Sequence, residues 1–263
     1  MSYAFITVTA RDHVTTITLN RPEVMNAVNP EMHQELQHAF DDFAADDTQY
    51  VGVVTGAGGR AFCAGSDLKA ASASKGIGAG NYPKNGYAGL IERFDLTKPL
   101  IAAVNGVALG GGFEIALSCD IILAAESAKF GLPEPLVGAV ALGGGLHRLA
   151  RQIGLKQAMG MILSAQSVSA ADGARLGFVN EVVPAASLPE ATARWCALIL
   201  RGAPGAIRAS KETVMRGLDE PSLTDAIRNQ KSYPAFATWR SSEDAKEGPL
   251  AFAEKRPPRW KGR

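Results

Sequence analysis

The chain has 263 residues, 46% of them hydrophobic, which suits one large domain or a domain with an appendage. Lys plus Arg number 27 against 26 Asp plus Glu, so no global field recruits nucleic acid or an anionic membrane surface. Cys63, Cys119 and Cys196 lie far apart without CxxC spacing, and His13, His33, His38 and His147 share no ligand spacing, so reduced thiols and no metal site are expected. The opening MSYAFITV lacks a basic n-region and an apolar h-region, and no run reaches the ~18 apolar residues of a membrane span; a cytoplasmic protein is the expectation.

In chain order, Phe5–Val8 and Val14–Leu19 are β-branched runs separated by Ala10–His13 and read as a hairpin. Asn29-Pro30 supplies an N-cap and a first-turn proline, and Met32, Leu36, Ala39, Phe40 and Phe43 follow at helical spacing, predicting an amphipathic helix over 30–45. Tyr50–Thr55 reads as a buried strand. Gly56, Gly58 and Ala61 match GxGxxA, but no helix opens behind them and no acidic residue closes a strand about 20 residues on, so a dinucleotide site is disfavoured. Ser66-Asp67-Leu68-Lys69 matches SxxK without the partner motifs of acyl-enzyme hydrolases. Residues 72–89, small, polar and glycine-rich, read as a mobile loop, either a lid over a pocket or a tolerated insertion.

The informative stretch is KPLIAAVNGVALGGGFEIALSCDIILAAESAKFGLPE, residues 98–134. Leu100–Val104 predicts a buried strand, Asn105-Gly106 a turn, and Gly110-Gly111-Gly112 opens a segment of helical spacing. Glycine lets a ligand approach the backbone, and the first N–H groups of a helix have no internal partner, so the site suits an anion, including a transient one. Glu114 falls in the first helical turn, and Glu134 follows a second short strand. Each feature has a plainer reading: a close crossing of two elements, a helix-favouring acid, a turn residue. Two strands, a helix and a third strand, followed by a second such round at 100–124, predict a β-β-α repeat. Beyond Glu134, helices are expected at about 155–164, 169–176, 188–201, 204–217, 221–232 and 241–254, and a strand at 178–183. The basic end around Trp260 (Lys255, Arg256, Arg259, Lys261, Arg263) reads as a solvated tail or, less favoured, as a holder of phosphates.

That stretch, with RPEVMNAVN before it and GAGGRAFCAGSDLKAA between, resembles the enoyl-CoA hydratase/isomerase (crotonase) family along nearly the whole chain. GYAGLIERFDLTKPLIAAVNG and the tail SEDAKEGPLAFAEKRPPRWKGR resemble its carnitinyl-CoA dehydratase (crotonobetainyl-CoA hydratase) branch. The resemblance implies an α/β spiral of β-β-α repeats over 1–200, carrying the CoA-ester site, and a C-terminal helical region over 201–263 that builds a trimer or a dimer of trimers. It implies catalytic Glu114 and Glu134, the first activating water and the second delivering a proton. It implies oxyanion donors at the Ser66 and Gly111 N–H groups, and a CoA groove along Met25, Ala27, Ala64, Ser66, Asp67, Leu68, Lys69 and Gly110. Water would be added to or removed from an enoyl-CoA thioester, with CoA arriving as part of the substrate and no separate cofactor. Both glutamates favour a hydratase over an isomerase. Hydratases of the family usually carry a proline where Val140-Ala141-Leu142 stands here, which bears on the acyl pocket. For a trimethylammonium acyl group, Tyr82, Tyr87 and Phe94 are candidate aromatic partners. Some relatives bind RNA, a reading that the near-zero net charge disfavours.

Overall fold

The computed structural model describes residues 3–69 and 82–262. Strands β1 (Ile6–Arg11) and β2 (Val14–Leu19) form the expected hairpin. Asp12 and His13, both at positive φ, make its two-residue turn, the backbone that a right-twisted hairpin demands. Helix α1 (Pro30–Ala45) is capped by Asn29, whose side chain accepts from the Met32 N–H at 2.9 Å. At its other end the buried Lys98 ammonium donates to the carbonyls of Phe43 (2.6 Å) and Asp46 (2.7 Å), satisfying groups the helix leaves open.

From there the chain alternates between two sheets. Strands β3 (Val51–Gly56), β5 (Leu100–Val104) and β7 (Ile121–Ala125) enter a six-stranded sheet, β1-β2-β3-β5-β7-β10, closed by β10 (Glu181–Val183). Strands β4 (Ala61–Cys63), β6 (Val107–Leu109) and β8 (Lys129–Gly131) enter a four-stranded sheet, β4-β6-β8-β9, with β9 at Val168–Ser169. Each round adds one strand to each sheet, and α2 (Gly111–Ser118) joins β6 to β7. This is the spiral repeat expected of the sequence. Side chains alternate along the first sheet: Val54, Ala102, Val104, Ile122 and Ala124 face the main core with Phe40 and Phe113. Val51, Val53, Ile101, Ala103, Leu123 and Ala125 face α6 (Leu188–Leu200) through Leu188 and Cys196. Burial on both faces is why these strands read as unbroken apolar runs.

Several expectations change. Residues 82–89 are not a loose loop: Tyr87, Ala88 and Gly89 are buried against α1, while 72–81 lie outside the described residues. Helix α3 (Gly145–Gln152), not expected from the sequence, follows a glycine run that hides its start, whereas α4 (Leu155–Ser164) and α5 (Ala170–Leu176) lie where expected. The strand at 178–183 shrinks to β10, because Phe178 and Val179 enter the core and the Asn180 side chain accepts from the Ile122 N–H. Helix α7 (Pro204–Gly217) is as expected, whereas α8 is Leu223–Asn229, and α9 (Pro234–Ser241) and α10 (Asp244–Ala253) are separate helices. The basic tail keeps Lys255, Arg259 and Lys261 exposed, as expected, but its backbone, Arg256 and Trp260 are docked. Arg256 forks onto Glu247, the Lys261 and Gly262 N–H groups donate to Asp244, and the Trp260 indole donates to the Arg201 carbonyl.

The crossing of the two sheets' connections is tight at Gly112, where a Cβ would run into the carbonyl oxygen of Cys63. Gly112→Ala is expected to lower the urea midpoint by the equivalent of about 1–3 kcal/mol. Gly59→Ala, where the same atom meets nothing within 4 Å, is expected to stay within about 0.5 kcal/mol.

Candidate active site

The parallel register between β6 and β8 sets Leu109 against Gly131, and the Gly110 N–H donates to the Gly131 carbonyl at 2.9 Å. Two consequences follow. Helix α2 begins at the strand end, with Gly110 at φ 54°, and the turn Glu134–Val137 starts beside it. A Cβ on Gly110 would lie 2.9 Å from Glu134 Oε1, so the second carboxylate rests on the glycine run.

The segment Cys63–Asp67 closes the other side. Gly65, at φ +95°, packs so closely that its Cβ position is 3.2 Å from the Gly111 nitrogen. The amides of Ser66 and Gly111 are therefore neighbours, and neither N–H has a partner among the described residues. The Tyr87 hydroxyl lies 3.3 Å from Ser66 Oγ, and its ring occupies the space that a side chain at residue 111 would need.

Glu114, one turn into α2, is 3% exposed. Its Oε1 accepts from the Gly145 N–H at 2.9 Å, and the Gly143 N–H adds a second contact. Burial pushes its carboxyl up to about 7; the Gly145 N–H opposes this, and the charge of Glu134 adds to it. Glu134 is raised too, chiefly by burial, and its Oε2 is buried with no partner among the described residues. Two neighbouring carboxyls, both shifted upward by burial and one of them to about 7, form a pair able to hold and pass a proton. Among the described residues, no three His, Cys, Asp or Glu side chains gather where they could hold a metal ion.

Of the remaining sequence candidates, Met25 and Ala27 run beside Ala64: the Ala64 N–H donates to the Met25 carbonyl (3.0 Å) and the Val28 N–H to the Gly65 carbonyl (2.8 Å). Asp67 pairs with Arg21 at 3.0 Å, and Arg21 also donates to the Ala27 carbonyl at 2.6 Å. Leu68 (47% exposed) and Lys69 lie on the open surface near this segment. The aromatic candidates separate. Tyr82 and Tyr87 lie near Glu114, but Phe94 is exposed beneath the Arg148 guanidinium, whose charge is wrong for a cation's pocket. His33, Tyr82 and Tyr87 pack edge to face with centroids 4.6–5.7 Å apart, too close to admit a trimethylammonium group between them.

Sequence reasoning missed His33, set aside as a poor metal ligand, and the amides of Gly143 and Gly145. His33 directly follows Met32, the first residue of the buried stripe of α1, which was the available signal. Its Nδ1 accepts from the Ala88 N–H at 2.9 Å, which requires the neutral imidazole. Burial agrees with this, pushing it down to about 4.

Residues 9–263 match the family model described as enoyl-CoA hydratase/isomerase. The chain is 41% identical over 260 residues to the carnitinyl-CoA dehydratases of Proteus mirabilis and Escherichia coli, covering 97% of both partners in each case. Its fold superimposes with TM-score 0.90 on an enoyl-CoA hydratase of Mycobacterium tuberculosis, at 37% identity, covering 98% of this chain and 99% of that one. An enoyl-CoA hydratase of Mycobacterium marinum gives TM-score 0.90 at 40% identity and the same coverage.

A raised carboxyl makes the folded protein bind a proton that the unfolded chain has lost between pH 4.5 and about 7, so stability falls as pH rises through that window. Glu114→Gln is therefore expected to exceed wild type at pH 8 by about 2–3 kcal/mol and to lose that advantage toward pH 4.5, as read by denaturant unfolding at both pH values.

Proposed function

The chain belongs to the enoyl-CoA hydratase/isomerase family, and we propose that it is a hydro-lyase that adds water to, or removes it from, the α,β double bond of an acyl-CoA thioester. The observation that carries this is the gathering of two carboxyls, Glu114 buried and Glu134 partly so, beside two neighbouring amides that have no partner among the described residues. The thioester oxygen sits between the Ser66 and Gly111 N–H groups. Glu114 takes a proton from water, the water oxygen bonds to Cβ, and the π electrons move onto the thioester oxygen as an enolate. Glu134 then gives its proton to Cα as the enolate collapses. Each proton and electron pair is accounted for by the two carboxyls and the substrate. An oxyanion donor of this kind is worth about 3–4 kcal/mol of barrier. Segments at Met25, Ala27, Ala64, Asp67, Leu68, Lys69 and Gly110 border the CoA moiety.

A second reading within the same chemistry is dehydration of a carnitine-type acyl-CoA, favoured by the 41% identity to carnitinyl-CoA dehydratases over 97% of the chain. The dense packing of His33, Tyr82 and Tyr87 argues against a cage between those rings, so a cationic acyl end would have to extend elsewhere. Residues 201–263 form an oligomerisation region in this reading, supported by exposed Leu218, Leu223, Ile227, Leu250 and Phe252, and the assembly is a homotrimer or a pair of trimers. Location in the cytoplasm fits its three free cysteines.

Crotonyl-CoA and crotonobetainyl-CoA hydration, followed as loss of enoyl-thioester absorbance, tests the proposal. Glu114→Gln and Glu134→Gln are each expected to reduce kcat by about 10²–10⁴-fold. No turnover of either substrate by wild type would sink the hydro-lyase reading, and the ratio of the two rates chooses the branch. In wild type, kcat/KM is expected to fall about tenfold per pH unit below about 7, because the water-activating Glu114 must be ionised. A rate flat from pH 5 to 8 would contradict that assignment.

A further inference from the structure

We propose that the Tyr87 hydroxyl is a third hydrogen-bond donor to the thioester oxygen, beside the Ser66 and Gly111 N–H groups; this rests on reading that pair of amides as the oxyanion site. The phenol touches both residues that carry the pair. Its oxygen is 3.3 Å from Ser66 Oγ, and its ring and hydroxyl fill the space over the Cα of Gly111, which is why residue 111 must lack a side chain. Tyr87 is 3% exposed, and among the described residues Ser66 Oγ is the hydroxyl's one hydrogen-bond partner. Because a serine hydroxyl can donate that bond, the phenolic proton is left to point at a substrate oxygen lodged between the two amides.

The surrounding chain is built to hold this ring still. Ala88 is in the left-handed region (φ 56°, ψ 17°), a costly conformation for a residue with a Cβ. Gly86 and Gly89 flank it at positive φ, and a Cβ on Gly89 would run into the Gln37 backbone of α1 at 2.5 Å. His33 fixes the turn from beneath, accepting the Ala88 N–H and setting its ring edge against Tyr87 at 4.6 Å. Backbone strain that is over-determined by neighbours and aimed at a reaction site is the pattern of a preorganised donor. The hydroxyl keeps its proton throughout, and no bond forms or breaks at it.

Tyr87→Phe keeps the ring and its packing and removes the donor. The expected result is a kcat for crotonyl-CoA lower by about 10–100-fold with KM changed by less than about threefold, the split expected of a contact made in the transition state. A second readout uses bound acetoacetyl-CoA, whose enolate absorbs in the near ultraviolet. The apparent pKa of that enolisation is expected to rise by about one unit in the variant, as loss of one donor to the enolate oxygen requires. Ser66→Ala is expected to lower kcat by a smaller factor, and to add nothing in the Tyr87→Phe background, because the two hydroxyls act as one unit. Unchanged kcat, a raised KM at unchanged kcat, or an unshifted enolate would overturn the proposal. Should Tyr87→Phe fail to fold, unchanged kcat and enolate in Ser66→Ala would overturn it equally. A wild-type protein that hydrates no enoyl-CoA yet enolises acetoacetyl-CoA in a Tyr87-dependent way would keep this inference while removing the hydro-lyase reading.

Discussion

The site depends on how closely two stretches of backbone meet. Gly110–Gly112 at the start of α2 lies directly on Cys63–Gly65, so that a single carbon added at Gly112 would strike the Cys63 carbonyl and one added at Gly65 would crowd the Gly111 nitrogen. Two strand ends, from β4 and β6, deliver these stretches, and their parallel pairing fixes the approach. Unpaired amides are costly when buried without solvent or ligand. Here they gather at one place, at the positive end of a helix, where a negatively charged oxygen would satisfy them. The same crossing seats Glu134 against Gly110 and aims Glu114 from the next turn.

Electrostatics then selects what those carboxyls do. Proximity to a helix N-terminus and to Arg148 favours the ionised form of Glu114, yet burial wins and holds it near neutrality. The amides of Gly143 and Gly145 offset part of that cost without removing it, and in doing so they orient the carboxyl group. Had Glu114 been as open to water as a surface acid, nothing would lift it from the ordinary carboxylate range, and it would be fully charged at pH 7. The destabilisation it brings to the fold belongs to the same arrangement as its reactivity.

The sequence carried much of this. Apolar runs marked β3 and β5, the Asn29-Pro30 cap placed α1 to the residue, and the glycine run before Glu114 marked the helix start. What stayed hidden depended on tertiary contact. Residues 82–89 look like loop by composition, because Gly86 and Gly89 serve a strained turn whose partners, His33 and Gln37, lie about fifty residues away. The end of the chain looked solvated because its docking runs through the backbone N–H groups of Arg259, Lys261 and Gly262 on Glu247 and Asp244, and pairing of backbone N–H groups with a carboxylate leaves no periodic trace. The 178–183 strand was over-extended because apolar residues that dive into the core read the same as apolar residues in a ladder.

The two ends of the site differ in how firmly they are held. Around the two amides nearly every group is constrained twice: Asn26, fully buried, bridges Arg21 to Ala57 and Ala61, Arg21 ties Ala27 to Asp67, and His33 and Gly89 lock Tyr87. Beyond Glu134 the chain instead exposes Leu136, Val137, Val140 and Leu142, apolar side chains with little packed on them. Chemistry that stabilises an enolate needs donors fixed within fractions of an ångström, since a loosened donor forfeits most of its advantage. Accommodating an acyl tail needs only apolar contact, which tolerates substitution at modest cost. A scaffold divided in this way can hold its two amides fixed while the apolar half changes its side chains.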